Sequence, residues 1–441
     1  MSTAPAAPPA QRIPEPPLVQ VANRPAQRKP SLLARATATT PATLRLLLAL
    51  TALAAVLFGV FAQQAGAMQA RAATTAREQS AQLLGVQNVR TLLVDANAIA
   101  ANTFLVGGLE PTELRASYVS SLTGAASAIA GLSAADSADT RALARVASSI
   151  TTYSGLIEQA RANNRQGFPV ASAYLDQAST ALSGDGGILE DLDGLVDSGA
   201  DRVAAAYDAV RWSVLLMVGS LVMLVLLLAA QLWLARRTHR YLNRPLATGT
   251  ALLLVVGVGG ALAYGSVAAD AGTARVESYR EALTVSNALI AASDAKSLES
   301  FTLIKRGSGA ALEERYTQAV DSAREKLSGD LQDELARTRL VDEFGQWQSF
   351  HEEIRAADDA GNWDQAVRVA TITGNGTPND LFTTFSDDAR DVVQEKALAA
   401  ATTLDRGAEF ATLVSWILLA AGLAGAVFAW RGIAQRLEEY R

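Results

Sequence analysis

Arg236-Arg237-Thr238-His239-Arg240-Tyr241-Leu242-Asn243-Arg244-Pro245 is a basic stretch between two apolar runs, Trp212–Ala235 and Leu246–Ala269, neither of which carries a charge. Each run reaches the roughly 20 residues that cross a bilayer, so two spans meet at one short connector. Arg236, Arg237, Arg240 and Arg244 stand in it with no acid among them, and an excess of arginine in a short loop predicts a cytoplasmic position. Outward from the connector, Leu46–Ala62 and Phe410–Trp430 are also uncharged, and the first extends through Ala65–Met68. Four spans result. A cleaved signal peptide is the weaker reading of the first run, because more than forty residues precede it.

The formal charge of −6 is unevenly spread. Arg12, Arg24, Arg28, Lys29, Arg35 and Arg45 face a single acid, Glu15, before the first span, and Arg431, Arg436 and Arg441 follow the last. Both termini are therefore expected in the cytoplasm of a multi-pass plasma-membrane protein, with the two long inter-span segments outside. The expected division is a disordered Pro-rich tail at 1–43, spans at 44–68, 212–235, 246–269 and 410–430, and the connector at 236–245. Outer bundles occupy 69–211 and 270–409, and 431–441 is a short tail. Pro14–Pro17 has the P-x-x-P spacing of a polyproline ligand, although such tails are mostly just solvated. No basic, aromatic-studded face points to nucleic acid. Cysteine is absent, so packing alone must hold the outer segments.

Those segments are rich in Ala, Leu, Glu, Gln and Arg and lack alternating β-branched runs, which predicts an all-α fold. A first helix continues out of the membrane to about Phe104, where Gly107–Pro111 stops it. A second runs from Thr112 to about Gly131, and Ser137 or Asp139 caps a third through about Asn163. Pro169 opens a fourth. A fifth begins near Ile188 and runs on through the second span. The set predicts an up-down-up-down bundle whose outer arms enter the membrane. The same plan recurs. Asp95-Ala96 is echoed by Asp294-Ala295, Leu114 and Tyr118 by Leu312 and Tyr316, and Leu132-Ser133 by Leu327-Ser328. Arg161-Ala162 is matched by Arg355-Ala356, Ser183-Gly184-Asp185-Gly186 by Thr373-Gly374-Asn375-Gly376, and Asp191-Leu192 by Asp380-Leu381. Preserved order makes this a tandem duplication of span, helical bundle, span.

Chemistry-bearing patterns are sparse, and no cofactor, metal site or enzymatic activity is expected. The only histidines are His239 and His351, with no phosphate loop, metal-ligand pair or recognisable nucleophile around them. Gly184-Asp185-Gly186 reads as a helix break, since no train of carboxylates follows it. None of the four apolar runs contains Asp, Glu, Lys, Arg or His, the groups that usually mark an ion pathway. Small residues recur four apart at Gly257, Ala261 and Gly265 and at Ala421, Gly425 and Ala429, which suits close packing within the chain first and a homodimer seam second.

A span, an outer helical bundle and a returning span resemble the four-helix sensor modules of bacterial chemoreceptors and sensor kinases. The doubled module, basic Pro-bearing connector, Pro-rich tail and lack of an enzyme domain are similar to the GlnX-type membrane proteins of actinobacteria. That resemblance implies a non-enzymatic sensor or adaptor. It would pass amino-acid availability from an extracytoplasmic solute-binding protein to a cytoplasmic serine/threonine kinase or adaptor. A scaffold for envelope assembly or an accessory transporter subunit is the alternative. Partner binding is expected at the tips, where Arg165 and Phe168 mark one corner and Lys305 and Arg306 lie beside Asn362 and Trp363. The connector arginines are the expected inner surface. Ala-rich bundles predict tight packing with little room for a small-molecule cavity.

Overall fold

The computed structural model describes residues 40–106, 110–136, 138–213, 215–238, 244–306, 309–329 and 331–438. The Pro-rich stretch 1–39, Ser137, Gly307 and the connector residues His239–Asn243, Arg240 among them, lie outside the described residues. All described secondary structure is helical, with no strand among the described residues.

The first half comprises α1 (Thr40–Val106), α2 (Thr112–Ala135), α3 (Thr140–Arg165), α4 (Val170–Ser183), α5 (Ile188–Ser213) and α6 (Leu216–Thr238). The second half is α7 (Arg244–Thr273), a π-helical turn at Ala274–Tyr279, α8 (Arg280–Ile304), α9 (Ala310–Gly329), α10 (Glu334–Asp359), α11 (Trp363–Thr371) and α12 (Pro378–Glu438). The element order therefore repeats, and the repeat extends to turn geometry. Gly186 and Gly376, which the sequence aligns, both have left-handed backbone, with φ of 72° and 74°. Each donates its N–H to an acid four residues on, Glu190 at 2.6 Å and Asp380 at 2.8 Å. A side chain with a Cβ is strained at that φ, which explains a glycine in both copies.

Four helical runs are long and apolar enough to cross a membrane: Thr43–Val106, Val170–Trp233, Arg244–Ile304 and Pro378–Gln435. The chain is a multi-pass membrane protein. Trp212, Trp233 and Trp430 are exposed at the ends of the apolar stretches, the level where indole rings favour the membrane interface. Within the second run α5 ends at Ser213 and α6 starts at Leu216, with Val214 between them outside the described residues. The Ser213 hydroxyl donates to the Val210 carbonyl at 2.6 Å, a local bond that competes with the helix ladder.

Each bundle has its own core. In the first, Leu93, Tyr118, Leu143, Tyr153, Leu175 and Leu192 from five helices are buried together. In the second, Trp347 packs on Phe344 and Phe382 at ring separations of 5.5 and 5.1 Å, and Phe344 on Phe385 at 5.4 Å. The halves also interlock, which the sequence does not announce. Helix α1, with 67 residues, is about 100 Å long and runs antiparallel to α12 over nearly all of that length. Leu44 clusters with Ala429 at one end, Gly59 meets Gly422, Arg77 pairs with Asp405 at 2.9 Å, and Asp95 pairs with Arg390 at 3.1 Å. The first arm of one half is thus zipped to the last arm of the other.

The small-residue stripes pack only in part as expected. A Cβ on Gly425 would fall 2.8 Å from Leu253 and one on Gly257 3.0 Å from Phe58, whereas one on Gly265 would meet nothing within 4 Å. Asp139 occupies the position before α3 but makes no cap. Its buried carboxylate instead accepts from Arg202 at 2.8 Å and Gln82 at 3.3 Å, charge-assisted bonds that outcompete a backbone N–H.

Candidate functional site between the two bundles

The interlocking leaves a cleft, contrary to the close packing expected of Ala-rich helices. Where α1 and α2 face α12, with α8 behind, a cavity of about 560 Å³ opens, within the range of small-molecule sites. Leu92, Ile99, Leu114 and Phe382 supply apolar wall, and Asp95, Lys296, Asp387 and Arg390 supply charge. Helical spacing aligns these groups: Asp95, Ile99 and Asn102 lie on one face of α1, and Phe382, Ser386 and Arg390 on one face of α12.

At the membrane-proximal end, Asp95 Oδ2 accepts from Arg390 Nη2 and from the Ser121 hydroxyl, both at 3.1 Å. Burial pushes the Asp95 carboxyl above its ordinary pKa, outweighing the pull of Arg390 and Ser121. At the far end, Asn102 Nδ2 donates to the Ala370 carbonyl at 2.9 Å and Asn379 Nδ2 to the same oxygen at 3.3 Å. Between these ends, Lys296 is 4% exposed and donates to Glu299 Oε1 at 3.1 Å.

Lys296 connects the cleft to a buried polar chain. Glu299 Oε2 meets His351 Nδ1 at 3.0 Å, His351 Nε2 meets Glu313 Oε1 at 3.0 Å, and Arg355 Nε stands 3.6 Å from Glu313 Oε2. The Tyr316 ring stacks on His351 at 3.6 Å between centroids. An imidazole that meets a carboxylate on each nitrogen satisfies both as a doubly protonated cation. Burial pulls the His351 pKa down, yet Glu299 and Glu313 outweigh it and hold it above its ordinary value. Burial likewise opposes ionisation of Glu299, and Lys296 with His351 overcomes it, keeping that carboxyl below the usual range.

The duplication places a second cleft on the opposite side of the α1–α8 contact. Asp294, the counterpart of Asp95, lines a cavity of about 420 Å³ with Asn97, Ser297 and Arg315. Burial raises its pKa as well, against Arg315 and Arg90. The two clefts have diverged in charge. By the sequence alignment of the halves, Asn97 stands where the first cleft has Lys296, and the second cleft takes its positive charge from Lys305 and Arg315 instead. Asn97 donates to Ser297 at 2.9 Å and accepts from the Tyr153 hydroxyl at 3.3 Å, which makes it a tie between the halves.

The structure separates the tip residues singled out by sequence. Arg306 lies over the Trp363 ring, 3.6 Å from its centroid, and the Trp363 indole donates to the Leu303 carbonyl at 2.9 Å. Trp363 is half-buried against a small core containing Leu105, Leu303 and Ile354. Asn362 is exposed beside it. Lys305 turns away and pairs with Asp176 of the first half at 3.3 Å. Arg165 and Phe168 are exposed at the other corner, where Asn164 ties the end of α3 to the Phe104 carbonyl at 2.8 Å. Of the connector, Arg236 and Arg244 are exposed, while the Arg237 side chain and all of Arg240 lie outside the described residues.

Sequence reasoning missed Lys296, Ser386 and Arg390. One signal was available: Asp95 and Asp294 recur at the same place in both copies, on helices otherwise dominated by Ala, Leu and Ser. No group of three or more His, Cys, Asp or Glu able to hold a metal ion occurs among the described residues.

No curated protein and no solved structure matches the chain. Residues 72–208, which cover the first bundle from α1 into α5, match the family model of the actinobacterial sensor domain, and this similarity supports a sensor role.

Proposed function

We propose that the chain is a transmembrane sensor that relays an event at its paired bundles to a partner on the other side of the membrane. The supporting observation is the α1–α12 pair. Its two helices run without a break from the cleft, at Asp95–Arg390, to the opposite end of the spans, at Leu44 and Ala429. A helix under such continuous packing transmits a shift or rotation along its axis, because packed interfaces have few alternative arrangements. The bundles lie outside the cell and the connector and both tails inside. The event is amino-acid availability, presented by a solute-binding protein, and the receiver is a serine/threonine kinase or adaptor. These assignments follow the resemblance to GlnX-type proteins and the arginine-rich connector.

The test is a mechanical lock. The chain has no cysteine, so Arg77→Cys with Asp405→Cys can be joined by a short bis-maleimide without background. In cells, phosphorylation of the kinase's substrate would be followed after external amino acid is added. The lock is expected to freeze the response while the unlinked double variant still responds. A full response from the linked protein would discard α1–α12 as the relay.

A further inference from the structure

We infer that the cleft between α1, α2 and α12 is a binding site for a small zwitterion, a ligand carrying a carboxylate and a protonated amine on one short skeleton. The inference deepens the sensor role proposed above and rests on it only for the consequence of binding.

The carrying observation is unspent hydrogen-bonding capacity facing one cavity. The Ser386 hydroxyl is buried with no partner, as is Arg390 Nε. Lys296 uses one of its three donors, on Glu299. Ser386, Lys296 and Arg390 all line the cleft, as does Asp387, which accepts from Arg390 Nη1 at 2.8 Å, so Arg390 Nε, the Lys296 ammonium and a hydroxyl remain as donors to offer an anion. Acceptors are left over too. Asn102 Oδ1 is buried without a partner, and both bonds to Asp95 fall on Oδ2, leaving Oδ1 unused. Buried polar atoms without partners are rare in folded proteins and each one asks for an occupant.

A simple anion would leave Asp95 and Asn102 unanswered, and a simple cation would leave the Ser386 hydroxyl and Arg390 Nε unanswered. A zwitterion satisfies both sets. Its carboxylate takes the Ser386, Lys296 and Arg390 donors, its ammonium faces Asp95 and Asn102, and its side chain meets Leu92, Ile99, Leu114 and Phe382. The Asp95–Arg390 pair also spans the α1–α12 contact, so a ligand that competes for either partner alters the relation between these helices directly. The twin cleft carries its charges at other positions, Asp176, Asp294, Lys305 and Arg315, so a ligand held there would be indifferent to Ser386→Ala.

The experiment uses the full chain in lipid nanodiscs. Thermal shift and calorimetry would be run with each of the twenty protein α-amino acids, and with propionate and propylamine as half-ligands at matched concentration. At least one amino acid is expected to bind saturably, one per chain, at micromolar concentration, with neither half-ligand binding there. Ser386→Ala should weaken binding about tenfold, the scale of one lost hydrogen bond to a charged group, without lowering the ligand-free melting temperature. Asp95→Asn should weaken it at least as much. Should Asp95→Asn fail to fold, Ser386→Ala carries the test alone. Absence of binding by every amino acid overturns the inference, as does equal binding of propionate or an affinity indifferent to Ser386→Ala. Binding that leaves partner phosphorylation unchanged would instead refute the relay and leave the site standing.

Discussion

Gly59 and Gly422 meet backbone to backbone: a Cβ placed on Gly422 would lie 2.6 Å from the Gly59 Cα and 2.9 Å from the Ala55 carbonyl oxygen. Here α1 and α12 touch through their backbones within the spans, partway along the pair that carries the proposed relay. Because backbone and not a flexible side chain is in the way, the helices must separate to admit a methyl group. Gly422→Ala is expected to destabilise the protein by about 1–3 kcal/mol, the usual cost of overpacking. Gly265→Ala and Gly259→Ala, whose added Cβ would meet nothing within 4 Å, should leave stability unchanged. Thermal unfolding of the three variants in one detergent checks this.

The Gly59–Gly422 contact also marks the limit of what the sequence makes legible. Hydropathy and arginine placement reveal four spans, and the Asp95/Asp294 and Gly186/Gly376 echoes reveal the repeat, because both signals are local. Nothing local says that α1 runs along α12 of the other half as well as packing on α6, its partner within the first half. Packing partners of small-residue stripes are chosen by three-dimensional fit, and Gly257, Gly265 and Gly422 look alike in a one-dimensional string. The cleft was illegible for the same reason. Its charges come from three helices far apart in the chain, Asp95, Lys296 and Arg390, and Ala content says how helices approach but not where two bundles fail to meet.

His351 should be a keystone of the second bundle. It is 8% exposed and sits between Glu299 and Glu313 at 3.0 Å from each. Removing it leaves Glu299, itself 1% exposed, with Lys296 alone, and breaking a buried ionic group costs about 3–5 kcal/mol. His351→Ala is expected to lose stability on that scale, and His351→Gln, which keeps two hydrogen-bonding ends, to lose less. The pH dependence has a definite sign. The raised His351 pKa stabilises fully below its unfolded value, about 6.5, and fades as pH climbs through the raised folded value. The lowered Glu299 pKa stabilises fully above its unfolded value, about 4.3, and fades as pH falls through the lowered folded value. Denaturant titrations should therefore show the stability attributable to this pair greatest between about pH 4.3 and 6.5, and the acid and alkaline declines should shrink in His351→Ala.

Glu343 acts in the opposite sense. Its Oε2 is buried without a hydrogen-bond partner, and burial together with the neighbouring Asp388 carboxylate lifts its pKa to about 7. A carboxyl whose folded pKa exceeds the unfolded one contributes stability at low pH and loses it as pH rises through the folded value. The contact between α10 and α12 should loosen as pH passes 7. Glu343→Gln is expected to match the parent below about pH 4 and exceed it at pH 7, because the decline that this carboxyl contributes lies between its unfolded value, about 4.3, and its folded value, while the decline tied to His351 remains. An unchanged slope across that window in Glu343→Gln would assign the decline to another group.

The connector gives the last prediction. Arg236 and Arg244 are exposed where α6 ends and α7 begins, so relative motion of the two halves reaches this short segment. Topology alone requires an excess of positive charge, not any one arginine, whereas docking of an acidic partner depends on individual guanidinium groups and their paired hydrogen bonds. Arg236→Gln, Arg237→Gln and Arg240→Gln, made singly, are each expected to weaken phosphorylation of the proposed partner kinase's substrate after external amino acid is added. Protease protection should show the orientation unchanged. The charge-keeping Arg236→Lys should retain orientation and recover only part of the signal, since lysine lacks the guanidinium fork. A triple Gln variant that is correctly oriented and signals normally would reduce the connector to a topological anchor and move the search for the docking segment to Pro14–Pro17.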